Sequence, residues 1–416
     1  MYDIRQRKKS DAKVYSSKSE KIKVPVKRSS FTDRCCLFLF KLILILNGSV
    51  LTPLALVYFA GNADVDPVHF NLTWPMPEID GPLAPNALLK DMELFMENQV
   101  SGPECIVYSD GAIYTGTWDG KVVKIENKKI TKTVRLGKGD ICGTYDTEPE
   151  CGRPLGLRLL ENGHLIVADA YLGLFDVDIE NERFTQLVAK DVKVQGRRIR
   201  LFNDLDVLKD GRILFSHSSS RFDRREFPSV LLNGRTDGRL LIYDPQTQKV
   251  DVLLDGLLFA NGVQLNADQS AVYIAESSKA RILKLHLSAH KAGKWEIFAD
   301  NLPGLPDNIR PSSNGNLWVG FHYFRGNGYF SGTDFVSNKP WLRMMMAKLC
   351  PPRWRAYMFA KVAPSHSMAV QLDHNGNYVR SLHDYGRLGH IAQVTDTGDT
   401  LYFGTVHRPF IGRLEL

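Results

Sequence analysis

The sequence predicts an all-β domain, a six-bladed β-propeller over residues 85–416, carried behind an N-terminal transmembrane helix. Three observations predict it. A turn dipeptide, a short apolar strand and a polar break recur six times, opening at Asp110-Gly111, Asn162-Gly163, Asp210-Gly211, Asp268-Gln269, Asn314-Gly315 and Thr397-Gly398. The spacings are mostly 46 to 58 residues, the length of a four-stranded blade. The segments that follow each opening are rich in Val, Ile, Tyr and Phe, as strands require.

Taken in order, residues 1–34 form a basic tail with eleven Lys or Arg against four acids, which accounts for the formal net charge of +7 of the whole chain. The remainder is close to neutral and carries no electrostatic footprint for nucleic acid. Residues 35–60 (CCLFLFKLILILNGSVLTPLALVYFA) are long and apolar enough to span a bilayer. The basic flank before this signal-anchor puts the tail in the cytoplasm and residues 61–416 in the lumen or outside, a single-pass type II arrangement. The membrane is therefore an expected partner, with residence in the endoplasmic reticulum or plasma membrane.

Residues 61–84 read as a Pro-rich stalk containing the sequon Asn71-Leu72-Thr73, a glycosylation site on that side of the membrane. Cys142 and Cys151 flank a short loop and would pair in an oxidising compartment. Asn86–Asn98 has helical spacing, with Leu88, Leu89, Met92, Leu94 and Phe95 along one face, and predicts a short helix leading into the first blade. Before the last blade, residues 330–364 are a surplus with two amphipathic segments around Pro351-Pro352, and predict a helical insertion. That insertion reads as packed on one propeller face, or as a lid or membrane-contacting element.

A propeller brings equivalent positions of its blades to one axis. Reading the start of each inner strand gives Glu104, Leu155, Asn203, Asn261, Asp307 with Asn308, and a window at His390–Ala392. Four blades of six thus offer side-chain oxygens at one height, the donor type a hard cation such as Ca²⁺ takes. No Cys/His set has zinc spacing. His217-Ser218-Ser219-Ser220 lacks the GxSxG setting of a serine nucleophile.

The runs FANGVQL, PDNIRPS, CGRPLGL, FNDLDV and SLHDYG resemble those of the strictosidine synthase-like family, which is related to paraoxonase and regucalcin propellers. The resemblance implies a six-bladed propeller with an axial Ca²⁺ on Glu104, Asn203, Asn261 and Asp307 with Asn308. It also implies that Asp204 contributes to a second calcium. Two departures bear on activity. Where strictosidine synthase has its catalytic glutamate this chain has Ala392, and where paraoxonases have an axial histidine it has Leu155. The condensation of an amine with an aldehyde is thereby excluded. The resemblance leaves an arylesterase-like, calcium-dependent hydrolysis of small esters or lactones, with His390 and His322 as candidate proton carriers. The alternative is a non-catalytic propeller that binds a protein or small ligand, its metal structural.

Overall fold

In a computed structural model of the chain, residues 31–416 are described, apart from residues 191 and 363–365. The basic tail expected over 1–34 lies almost wholly outside the described residues. Two compact units divide the chain at Phe59 and Ala60.

The first unit holds the apolar helix, in which α1 (Phe31–Leu46) passes through a π turn (Asn47–Leu51) into α2 (Thr52–Ala60). Pro53 has no N–H to give the preceding turn, and a widened turn at that place absorbs the loss. The polar side chains of Asn47 and Ser49 are satisfied by the helix itself, donating to the carbonyls of Ile43 and Ile45. The 23-residue stretch Phe38–Ala60 has the length and composition to cross a bilayer.

The second unit is a ring of six four-stranded sheets, the predicted propeller. The inner strands are Ile106–Ser109, Pro154–Leu159, Leu201–Val207, Ala260–Leu265, Gly304–Pro311 and Gln393–Asp396. Each predicted opening is the hairpin from the inner strand to the second. The turn glycines Gly111, Gly163, Gly211, Gly315 and Gly398 take positive φ, and in the fourth blade Gln269 does so instead. A separate apolar cluster fills each seam between successive blades. Examples are Leu157, Val167 and Phe175 with Cys105 between blades one and two, and Trp318 and Phe403 between five and six.

The helix expected over residues 86–98 is not there. Residues Glu93–Phe95 are a strand, paired antiparallel with Ile411–Glu415 as the outer strand of blade six. The last blade supplies only three strands of its own, so its open edge takes the N-terminal segment and the ring is closed by hydrogen bonds. The apolar spacing that suggested a helix is explained by burial of Leu89 and Met92 in the seam of blades five and six.

The expected stalk is also no free spacer. Residues 64–84 are strapped along the ring, with Val65, Phe70, Met76 and Leu83 buried. The Asn233 side chain accepts from Asp66 N, the Asn301 amide donates to the Pro75 carbonyl, and Arg325 donates to the Thr73 carbonyl. Asn71 itself is exposed.

The insertion of residues 330–364 precedes the last blade, as expected, and lies within blade five between Leu317–Phe324 and His366–Leu372. Besides the short α3 (Glu148–Cys151), which carries Cys151, and α4 (Phe227–Asn233), the helices are α5 (Gly332–Ser337), α6 (Pro340–Leu349) and α7 (Pro352–Val362). The sequence did not signal α4, which interrupts blade three behind an Asp223/Glu226 capping box and packs against α6 and α7. Cys142 and Cys151 form the expected disulfide, with Cα atoms 5.8 Å apart.

The ring closure predicts that Leu89→Ala, a cavity at a fully buried site, lowers stability by about 2–5 kcal/mol. A urea midpoint equal to that of the parent chain would contradict this packing.

Candidate functional site

The inner strand of a blade reaches the axis at its first residues, and there four blades depart from regular pairing, blade two by the single residue Leu155 and blades three, four and five by two residues each. Register breaks fall between Phe202 and Leu205, between Ala260 and Val263, and between Pro306 and Ile309. The residues set free are Asn203-Asp204, Asn261-Gly262 and Asp307-Asn308. A bulge of this kind re-aims side chains that a ladder would hold across the sheet. Neighbouring inner strands converge so closely here that a Cβ on Gly262 would stand 2.4 Å from the Asp307 carbonyl. Glycine is the residue that fits.

The re-aimed side chains meet in a cavity of about 80 Å³. Glu104, Asn203, Asn261 and Asp307 line it together, all buried. The remaining walls are largely apolar, from Leu155, Leu201, Leu231, Leu305, Phe227 and Phe259. The Oδ1 atoms of Asn203 and Asn261 are buried and accept no hydrogen bond from the protein. Such orphaned acceptors are costly unless something outside the protein satisfies them. Burial, and after it the charge of Glu104, raises the Asp307 carboxyl well above its ordinary value, against the opposing effect of the Asn261 amide. Glu104 is balanced on its other side by Arg153, whose Nη2 lies 3.4 Å from Oε2.

Asn308 does not join this set. Its N–H donates to the Ala392 carbonyl at 3.0 Å and its amide to Gln393, while Oδ1 is a third orphaned acceptor. Asp204 departs further from expectation. Arg310 holds both its oxygens, at 2.7 and 2.8 Å, and the Val263 N–H donates to it at 2.9 Å. Burial alone would raise this carboxyl, but Arg310 and Arg158 together hold it below the ordinary range. A guanidinium reaching from blade five therefore stands where the resemblance implied a second calcium.

His322 lines the cavity, its Nδ1 4.0 Å from Asp307 Oδ2. Burial, followed by the neighbouring His390 and His407, lowers its pKa well below the ordinary value, so the ring is neutral at pH 7. His390 is stacked on it, with centroids 4.5 Å apart, and its Nδ1 bonds the His322 carbonyl. A carbonyl can only accept, so Nδ1 carries the proton and Nε2 is left as the acceptor. His390 thus supports His322 from outside the lining. His407 lines the mouth and was not anticipated, because no repeat position marks it. Arg224, anchored to Glu148 at 2.8 Å, Tyr323, Ser277 and Ser278 also line the cavity. Among the described residues no group of three His, Cys, Asp or Glu is arranged to hold a metal ion. The convergent set is instead two carboxyls with two amides.

Comparisons with known proteins agree with this architecture. The family model for strictosidine synthase matches residues 203–290, and that for the N-terminal part of strictosidine synthase-like proteins matches residues 81–125. The adipocyte plasma membrane-associated protein of Salmo salar is 42% identical over 381 residues, covering 91% of this chain and 90% of that one. Its Homo sapiens counterpart is 41% identical over 391 residues, covering 93% and 92%. Among solved structures, a gluconolactonase from Xanthomonas campestris superposes with a TM-score of 0.51 at 16% identity, covering 85% of this chain and 96% of that one, a likeness of fold. The chain belongs to the family of adipocyte plasma membrane-associated proteins, propellers of the strictosidine synthase-like type.

Proposed function

We propose that the axial cavity is a calcium-dependent hydrolase site for small esters or lactones. The observation that carries the reading is the pair of orphaned amide oxygens, on Asn203 and Asn261, facing the same cavity as Glu104 and Asp307. Buried oxygens without donors fit a hard cation or an ordered water, and the two carboxyls beside them favour the cation. Glu104, Asn203, Asn261 and Asp307 would hold it. A bound Ca²⁺ would supply Lewis-acid polarisation of a carbonyl and charge to meet a developing oxyanion.

The chain's own residues supply the rest. The apolar walls take the acyl or aromatic part of the substrate and exclude water. Neutral His322, on the cavity wall, accepts a proton from the attacking water, and the stacked His390 fixes its position. Ala392 and Leu155 offer no acid or base, so the synthase reaction has no proton carrier at its family position. Arg310 already neutralises Asp204, which leaves one cation site to build, where the resemblance implied two.

We also read the chain as a single-pass type II protein with the propeller lumenal or extracellular. The disulfide and the exposed Asn71 sequon support that side. Asn71→Gln should abolish an endoglycosidase-sensitive shift in gel mobility. An unshifted parent protein would contradict the assignment.

Two measurements test the site. With phenyl acetate as substrate, chelator should abolish hydrolysis, and His322→Gln should lower kcat by about 10²-fold while calcium still raises the melting temperature. Activity that survives chelation, or is unchanged in Asn261→Ala, would refute the hydrolase reading. The second test is pH dependence. In chelator, Asp307 keeps its proton above the value it has unfolded, so the native state binds more protons and stability falls as pH rises through that window. Asp307→Asn should flatten this fall, and calcium, which needs the ionised carboxylate, should reverse it. Identical pH profiles with and without calcium would contradict the assignment of Asp307.

A further inference from the structure

The helices inserted in blade five leave an apolar face uncovered. On α6, Arg343 and Ala347 point inward and are buried, whereas Trp341 and Leu349 lie on the opposite side. On α7, Trp354, Tyr357 and Met358 share one face at helical spacing, and the first two rings are 6.0 Å apart. With Phe335 of α5, these side chains are between 48 and 59% exposed. Elsewhere outer strands expose large apolar residues one or two at a time, such as Phe184, or Trp295 with Ile297. The face is also basic. Between Asp334 and Asp373 the chain has no acidic residue, and of its six Lys or Arg, Arg343 and Arg355 are buried while Lys339, Lys348 and Arg353 reach the surface. Tryptophan and tyrosine interleaved with cations is the composition of a membrane interface.

What points to lipid in particular is where these helices are tied. Arg355, buried in α7, holds both oxygens of Asp64 at 2.7 and 2.6 Å and also donates to Ser229 of α4 and the Ala347 carbonyl of α6. Arg343 donates to the carbonyls of Val68, Leu232 and Ser337. Arg355 thus clamps the strap at Asp64, just after the apolar stretch that ends at Ala60, and Arg343 clamps it further on at Val68. Four residues of chain, from Ala60 to Asp64, extend at most about 14 Å. If the apolar helix crosses a bilayer, the covalent chain keeps the clamp within that reach of the point where the helix leaves the hydrocarbon.

We infer that α5, α6 and α7 form an interfacial membrane-binding element, seated on the phospholipid headgroups of the leaflet through which the chain's own span exits. The inference rests on the reading of residues 38–60 as a span. The α4 helix, whose Phe227 and Leu231 line the cavity, packs against α6 and α7, so the seated face and the cavity wall belong to one packed body.

The test uses the full chain reconstituted in phosphatidylcholine vesicles containing a diazirine-bearing phosphatidylcholine, photolysed and mapped by peptide mass spectrometry. Labels on peptides from residues 38–60 and also from residues 340–361 are expected. Trp341→Glu with Trp354→Glu should lower the second set severalfold and leave the first unchanged, with calcium-dependent melting as the check on folding. Labels on 38–60 with none on 340–361 would overturn the inference and leave the span standing. Absence of label on 38–60 would overturn the span, and the inference with it.

Discussion

Every blade of this ring can present side chains to the axis only where its inner strand leaves the ladder, and that constraint organises the rest of the site. In blades three, four and five the departure is a two-residue bulge, at Asn203-Asp204, Asn261-Gly262 and Asp307-Asn308. The first member of each pair is delivered to the cavity. The second is fitted to the packing of the neighbouring blade, as Gly262 is against Asp307, or Asp204 against the Val263 N–H. Backbone pairing is surrendered at these points. What it gives is convergence of oxygens from residues as far apart in the chain as Asn203 and Asp307.

The axis carries two layers of opposite electrostatic character. In one, Asp204 is ionised because Arg310 and Arg158 outweigh the cost of burial. In the other, Asp307 is also buried, and burial, with Glu104 beside it, raises its carboxyl well above the ordinary value. The two carboxyls have the same chemistry and depth, so the difference lies in which has a cation of the chain's own. The layer of Asp307, where Arg153 meets Glu104 and no guanidinium among the described residues bonds Asp307 itself, also holds the orphaned oxygens of Asn203 and Asn261. This asymmetry is the physical basis for reading a single external cation into the cavity and none at Asp204.

Much of the architecture was legible in the chain. The turn dipeptides recur because each hairpin needs a residue of positive φ, and that requirement leaves Gly behind at fixed spacing. Glu104, Asn203, Asn261 and Asp307 could be found because phase within a repeat predicts position on an axis. Other features leave no such trace. The strand Glu93–Phe95 carries apolar residues at a spacing that serves a helix or a buried edge equally well, and only the missing strand of blade six decides between them. Arg310 lies three residues past Asp307, and its reach to Asp204 depends on the diameter of the ring, which local pattern does not contain. His407 comes from a loop outside the repeat phase. The Pro-rich segment read as a stalk is bound through carbonyls, at Thr73 and Pro75, and carbonyls are invisible in side-chain composition.

The oxygens of Glu104, Asn203, Asn261 and Asp307 are read as the seat of one cation. Anomalous diffraction from crystals grown with calcium, or with a lanthanide in its place, tests that reading most directly. One peak is expected in the cavity, about 2.3–2.6 Å from oxygens of Asn203, Asn261, Asp307 and Glu104. A cavity without a peak, or a peak at Asp204 in place of the Arg310 contact, would contradict it.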